Sequence, residues 1–291
     1  MEIRRVQPGD KAAVLALVNE IDADDYIPYC FDDWVGDLQG VVFLAAYEDA
    51  RLLGVANVQF LSERVAWLQA LRVAPSQRRR GVGRALSLAC LERAARAGRQ
   101  VARLLIDIDN HASLSLSVKN GFYKIAEWLR LEKPTEPVAA PAMRSPQREE
   151  LPQLVRLAEQ WGLQLWHTDW NTYDMSVEAL QVSLDNDTLR ILPEQPAATM
   201  LDVLFDEEDD EYRTYNPLGE ESAVKQILLA MEKEAHGRGV PRVAVLLAAD
   251  SPHLSTVQQL GYKFSLVKDH RGCEIVDGVT IWEYDLTQLT N

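Results

Sequence analysis

The sequence predicts an α+β chain, a mixed and mostly antiparallel central sheet flanked by helices, arranged as two similar domains. Three observations carry this reading. Short apolar runs of strand character alternate with stretches of helical period, and two of the runs, 41–47 and 52–61, face each other across Asp49-Ala50-Arg51 as a hairpin. A β-type run from Val65 to Val73 passes through Pro75 and a basic, glycine-spaced loop directly into a helix. The same signals then recur: Asp250 follows Asn110, and Gly261 follows Gly121, by the same 140 positions.

In order, Glu2 to Val6 reads as a strand stopped by Pro8-Gly9-Asp10, and Ala13, Val14, Leu17, Val18 and Ile21 lie on one face of the helix after it. The segment 22–35 is dense in carboxylates and aromatics, and Pro28 enters a second short helix there. The hairpin and the 65–73 strand follow. A helix runs from Val82 to about Ala97 and stops at Gly98; Val101 to Ile106 is a strand, and Asn110 opens a helix that ends at Gly121. Three prolines and small residues make 134–142 a linker between domains at 1–133 and 143–291. Beyond it, Met143 to Pro146 leads into a helix with Leu151, Leu154, Val155 and Ala158 on one face, repeating the N-terminal strand, turn and helix. Arg242 to Ala249 is a strand, and two more, 263–268 and 279–286, close the second domain.

Composition excludes several function classes. The chain of 291 residues carries 30 basic and 44 acidic side chains, a formal charge of −14, which argues against a nucleic-acid partner. No apolar run reaches membrane-spanning length and no signal peptide follows Met1, so no membrane partner and a cytoplasmic location are expected. Cys30, Cys90 and Cys273 are odd in number and widely spaced, as reduced thiols are. The five histidines have no metal-ligand spacing, so no metal is expected. A monomer and a homodimer both remain open.

The chemistry concentrates at 71–86. A helix start presents unpaired backbone N–H groups and partial positive charge, which suit a phosphate. Gly81 and Gly83 remove the Cβ atoms that would hold a phosphate off those amides, and Arg78, Arg79, Arg80 and Arg84 add charge. Neither the nucleoside-triphosphate loop nor the Gly-x-Gly-x-x-Gly dinucleotide pattern is present. Val-x-Pro-x-x-Arg-x-x-Gly-x-Gly from Val73 to Gly83, with Asn110 and Gly121-Phe122-Tyr123 beyond it, resembles the two conserved blocks of the GNAT superfamily of acetyl-CoA-dependent N-acetyltransferases.

The resemblance implies tandem GNAT-like domains, acetyl-CoA as cofactor, and a catalytic first domain. It implies cofactor contacts from Leu71, Arg72 and Val73 on a splayed strand, from Arg78, Arg79, Arg80, Gly81, Val82, Gly83 and Arg84, and from Asn110 and Ser117. Where many relatives carry a tyrosine acid this chain has Ser117, and where they often carry a glutamate base it has Gln69. Asp107 and Asp109, just past the 101–106 strand, are candidate substitutes for the base, with a favourable place before a helix start as the simpler role. The 22–35 segment covers the acceptor pocket in the family, with Asp25, Tyr26 and Trp34 as candidate contacts. Together with Asp-Tyr-Ile-Pro from Asp25, Phe-Asp-Asp-Trp-Val from Phe31, and Leu-Arg-Val-Ala-Pro from Leu71, the two-domain layout is similar to the histidine N-acetyltransferase group. This implies a small-molecule amine or amino-acid acceptor, acetylated on its α-amine.

At the offset of 140 the cradle positions become Leu218, Glu221 and Ala223, so the second domain is expected to have lost the cofactor loop. Trp166, His167 and Trp170 are candidates for a wall of the acceptor pocket, with plain packing as the simpler role. Two other readings remain open: a protein or peptide acetyltransferase, and a non-catalytic acetyl-CoA sensor.

Overall fold

The computed structural model describes every residue except 37–39, 169–170, 194–198, 207–209, 270 and 290–291. The expected elements of the first half are all present: β1 (Glu2–Arg5), α1 (Lys11–Ile21), α2 (Ile27–Val35), β2 (Val41–Glu48), β3 (Arg51–Phe60), β4 (Val65–Val73), α3 (Val82–Arg96), β5 (Val101–Asp107), α4 (His111–Lys119) and β6 (Tyr123–Pro134). Strands β1 to β4 pair antiparallel in sequence order, and β5 joins β4 in parallel. Alternation along β2 sorts its side chains between two cores. Val42, Leu44 and Ala46 pack with Leu86, Cys90 and Leu91 of α3, whereas Phe43 and Ala45 pack with Val14, Val18, Ile27 and Phe31 of α1 and α2.

The second half forms α5 (Leu151–Gln160), β7 (Leu165–Thr168), β8 (Asn171–Asp174), α6 (Val177–Asp185), β9 (Leu189–Ile191), β10 (Thr199–Asp206), β11 (Glu211–Gly219), α7 (Glu221–Gly237), β12 (Arg242–Ala248), α8 (Leu254–Gln259), β13 (Lys263–Phe264), β14 (Leu266–Lys268), β15 (Glu274–Val276) and β16 (Gly278–Asp285). Its main strand order is β6-β12-β11-β10-β9, with only β11 and β12 parallel in that set. The predicted strand 263–268 is broken into β13, which pairs with β6, and β14, which pairs with β15.

The internal repeat is visible atom by atom at the start of each half. Arg4 makes a two-pronged bond to Asp10 at 2.7 and 2.8 Å, and Arg144 makes the same bond to Glu150 at 2.8 Å on both prongs. Each carboxylate also accepts the backbone N–H three residues back, from Gln7 and from Gln147, at 2.7 Å. The guanidiniums hold both carboxyls low, Glu150 down to about 2.

Two compact units result: residues 1–106, 110–125 and 281–291 form one, and residues 107–109 with 126–280 form the other. From Ile281 onward the last strand, read from sequence as closing the second domain, folds with the first unit. The reason lies in its alternation. Trp282 and Tyr284 pack into the α3 core, and Glu283 on the opposite face bonds the buried Arg103 of β5 at 2.8 Å.

Candidate active site

Strands β4 and β5 pair only from Val65 with Val101 to Trp67 with Arg103, although β4 continues to Val73 and β5 to Asp107. They part beyond that point. A bulge marks the place: Asn57 pairs with Gln69 and Val55 with Arg72, so Ala56 faces both Ala70 and Leu71. Ala70 has φ +57°, a left-handed conformation that costs a residue with a Cβ about 1–2 kcal/mol. Beyond that point the 70–73 backbone is released from the β5 ladder. The Tyr26 hydroxyl meets Ala70, and the Leu71 and Val73 carbonyls accept long bonds from Arg72 and Arg78 at 3.4 Å, which an extended ligand could displace.

The loop after β4 makes one tight turn at Pro75–Gln77. Buried Gln77 accepts a bond from the Arg80 guanidinium at 2.5 Å, and Arg79 takes φ +62° to turn the chain. Gly81, at φ +84°, caps α3 without a side-chain bond, and no acidic residue stands in the first turn. A Cβ at Gly81 would meet nothing within 4 Å, so this glycine is there for its backbone conformation. At Gly83 a Cβ would meet Leu116 at 3.4 Å, Val73 at 3.6 Å and Leu71 at 3.9 Å, ordinary contacts, so the glycine relieves no clash and leaves its amide bare. Gly83 thus faces the gap between the end of β4 and α4. Bare amides, a positive helix end and three exposed arginines on the loop fit a diphosphate.

The sequence-predicted residues fall into three groups. Leu71, Val73, Gly83 and Leu116 come together at the gap, with Arg78, Arg79, Arg80 and Arg84 exposed around it, while the Val82 side chain is buried in the α3 core. Arg78 reaches the Val73 carbonyl at 3.4 Å, and Arg80 lies 3.7 Å from Glu48. Asn110 caps α4 by accepting the Ser113 N–H at 3.1 Å. Ser117 is buried in the last turn of α4, and its carbonyl accepts the Phe122 N–H at 3.0 Å around left-handed Gly121.

A second group lies on the α1/α2 side. The Arg72 side chain turns there instead of toward the loop, bonding Asp25 at 2.5 Å and lying over the Tyr26 ring at 5.6 Å. The other Asp25 oxygen accepts the Ile27 N–H at 2.9 Å, so both oxygens of this buried carboxylate are engaged inside the protein. Burial pushes the Tyr26 phenol up to about 12 against the pull of Arg72, and its hydroxyl meets the backbone of bulged Ala70. It keeps its proton at neutral pH. Trp34 sets its ring edgewise to Tyr26 at 6.0 Å and to Phe43 at 5.3 Å.

The third group is the strand face itself. Gln69 donates to Gln59 at 3.4 Å, beside fully buried Asn57. Sequence reasoning passed over Asn57 and Gln59; the only signal was an amide interrupting the apolar run 52–58. Asp107 is exposed at the end of β5 and folds with the second unit.

In the second unit β11 runs to Gly219 and α7 begins at Glu221, leaving Glu220 alone between them. The eight-residue loop 74–81 has no counterpart there. Glu220 caps the helix and Glu221 occupies its first turn. Strands β11 and β12 stay paired through five residue pairs, against three for β4 and β5. This helix end does not fit a diphosphate.

Trp166 and His167 are core residues of that unit. Trp166 donates to Ser183 at 2.8 Å. His167 stacks on Trp128 at 4.8 Å, meets Tyr215 edgewise at 4.7 Å, and holds Nδ1 2.8 Å from the Thr172 hydroxyl. Trp170 lies outside the described residues. Burial pulls His167 down to about 3. The unfolded chain therefore takes up a proton near pH 6.5 that the folded chain refuses until about pH 3. Stability is expected to fall as pH drops below about 6.5, by up to about 1.4 kcal/mol per pH unit from this residue. His253, also lowered by burial, acts in the same direction. Chemical denaturation from pH 7 to 5 should show the loss, and His167→Gln should shrink it; an unchanged slope in that variant refutes the assignment.

Residues 13–122 match the sequence model of the acetyltransferase (GNAT) family. No curated protein matches the chain. Among solved structures, the tandem GNAT protein from the clavulanic acid biosynthesis pathway is similar at 15% identity and a TM-score of 0.61, covering 98% of each chain. A GCN5-related N-acetyltransferase from Sphaerobacter thermophilus is similar at 14% identity and 0.58, covering 98% of this chain and 95% of its own. Another from Kribbella flavida gives 14% and 0.58, covering 97% and 70%. At such identities these likenesses establish the α+β fold over nearly the whole length. The family match falls on the same segment that holds the parted strands and the glycine cradle, so it is this part of the first half that is similar to acetyltransferases of the GNAT type.

Proposed function

We propose that the first domain uses acetyl-CoA to acetylate the α-amine of a small amino acid, histidine-like in its resemblance. The observation that carries this reading is the neutral character of the strand face beside the gap, where Gln69 and Gln59 stand together and the buried Asp25 carboxylate is engaged with Arg72. Acyl transfer needs a neutral amine. Deprotonating a lysine-type amine at pH 7 costs about 4.6 kcal/mol, against about 1 kcal/mol for a peptide-like α-amine, with a free amino acid between them. A face without a free carboxylate base favours the weaker amine.

Acetyl-CoA would supply an acetyl group activated as a thioester. The Val82, Gly83 and Arg84 amides with Arg78, Arg79 and Arg80 would hold its diphosphate, and the 71–73 backbone its extended arm. Protonated Tyr26, at the bulge, orients groups there as a donor. The buried Ser117 hydroxyl is a weak acid, suited to donate a hydrogen bond to a leaving thiolate rather than to protonate it unaided. The second domain, without the loop and with two glutamates at its helix end, is a non-binding partner in the same chain. Among the described residues no helix is long and apolar enough to cross a membrane. The three cysteines are free, which accords with a reducing compartment such as the cytoplasm.

The test is release of CoA thiol by the full chain with acetyl-CoA and a panel of L-amino acids, polyamines and peptides, with mass analysis of the products. Acetylation on α-nitrogen of free amino acids is the expected outcome. Turnover of peptides or polyamines alone, or tight binding of acetyl-CoA without turnover, would replace this reading with the protein-modifying or sensor alternative. Calorimetry is expected to give one acetyl-CoA per chain; a stoichiometry near two would place a second cofactor in the other half and refute the assignment of that half.

A further inference from the structure

Asn57 lies in an apolar stretch of β3, is 0% exposed, and has no hydrogen-bond partner among the described residues for either its Oδ1 or its Nδ2. An amide buried this way costs about 1–3 kcal/mol relative to a bonded one, and a valine at the same strand position would carry no such cost. Buried polar atoms without partners are rare enough to require a reason.

Position supplies one. Ala56 and Val58 belong to the α3 core, whereas Val55 packs with α1 and α2, so alternation turns Asn57 to the α1/α2 side. It pairs in register with Gln69, immediately before the bulged Ala70 where β4 parts from β5. The neighbouring charges are already compensated: Asp25 holds Arg72 at 2.5 Å, and Glu283 holds Arg103 at 2.8 Å. Asn57 therefore adds a buried carboxamide to this face, a donor and an acceptor side by side, beside Gln59 and Gln69, which share a single bond at 3.4 Å.

We infer that Asn57 is the acceptor-recognition residue, its Nδ2 donating to the α-carboxylate of a free amino acid and its Oδ1 accepting from the α-amine. The inference rests on the reading of the acceptor as an amino acid. A carboxylate alone would satisfy only Nδ2, and an amine alone only Oδ1. A free α-amino acid presents both, separated by a single carbon. Holding an amine N–H on Oδ1 also fixes where the nitrogen lone pair points, which is what attack on a carbonyl carbon requires.

The experiment uses Asn57→Val and Asn57→Asp in the full chain, with the best amino acid from the panel and its decarboxylated amine. Wild type is expected to prefer the amino acid by about tenfold or more in kcat/KM, the scale of one hydrogen bond to a charged group. In Asn57→Val the acceptor KM rises, the preference collapses toward one, the acetyl-CoA KM stays, and the ligand-free melting temperature rises. In Asn57→Asp the amino acid suffers more than the decarboxylated amine, because two carboxylates then face each other. Three results overturn the inference: a preference retained in Asn57→Val, equal loss for both acceptors, or a lowered melting temperature with an unchanged acceptor KM. A wild-type enzyme that acetylates no free amino acid sinks the proposed function and this inference together. A preference that survives Asn57→Val sinks the inference alone.

Discussion

Gly83→Glu is expected to abolish acetyl-CoA binding while leaving the fold in place. The two effects separate because of where the residue sits. Gly83 is in the first turn of α3, where a glutamate favours the helix through its dipole. The added Cβ would meet Leu116 at 3.4 Å and Val73 at 3.6 Å, ordinary contacts that require little movement. The carboxylate, however, would stand at the mouth of the cradle. Like charges about 4 Å apart near a protein surface repel by about 4 kcal/mol, nearly a thousandfold in affinity, and a diphosphate carries more than one charge. The second unit already shows this arrangement, with Glu221 in the first turn of α7. Gly81→Ala is the contrasting variant: nothing obstructs its Cβ, and its cost of about 1–2 kcal/mol falls on stability through the left-handed φ of +84°. Titration with acetyl-CoA beside a thermal melt checks both. Retained affinity in a folded Gly83→Glu protein would show that the diphosphate lies elsewhere.

The cradle was legible because all its parts are local: a strand, a proline, two glycines and a helix within some twenty residues. The repeat was legible for the same reason, and the matching Arg4–Asp10 and Arg144–Glu150 pairs show how closely the offset holds. What escaped is what long-range pairing decides. The acidic segment 22–35 suggested a carboxylate waiting for an ammonium, but Asp25 finds its cation 47 residues on, in Arg72. Gln69 could be placed on a strand, yet nothing local announced the bulge at Ala70 beside it. Asn57 gives no sign of itself until the strand face it shares with Gln69 is known. The last strand has an ordinary alternating pattern, which fits either half equally well; only the buried Arg103 decides which half it completes.

That last strand leads to the second large effect. Glu283→Ala is expected to destabilise the first unit by about 3–5 kcal/mol, the usual consequence of removing one partner from a buried ion pair. Arg103 is only 3% exposed, so its charge cannot reach water once the carboxylate is gone. Tyr123 loses a bond as well, since its hydroxyl donates to the other Glu283 oxygen at 2.7 Å. Glu283→Gln should cost less, because an amide oxygen still accepts from Arg103. Deleting 281–291 should do more than either substitution: Leu286 is wholly buried, Trp282 and Tyr284 pack in the α3 core, and Tyr284 contacts Phe122 at a ring separation of 5.5 Å. The prediction reaches beyond stability. The segment that matches the family ends at Phe122, yet the sheet that carries its cradle is completed by residues from the far end of the chain. A chain cut after residue 134 should therefore neither melt cooperatively nor bind acetyl-CoA. If such a fragment unfolds in a single sharp transition and binds the cofactor as the full chain does, the terminal strand is dispensable to the first unit and Arg103 is satisfied without it.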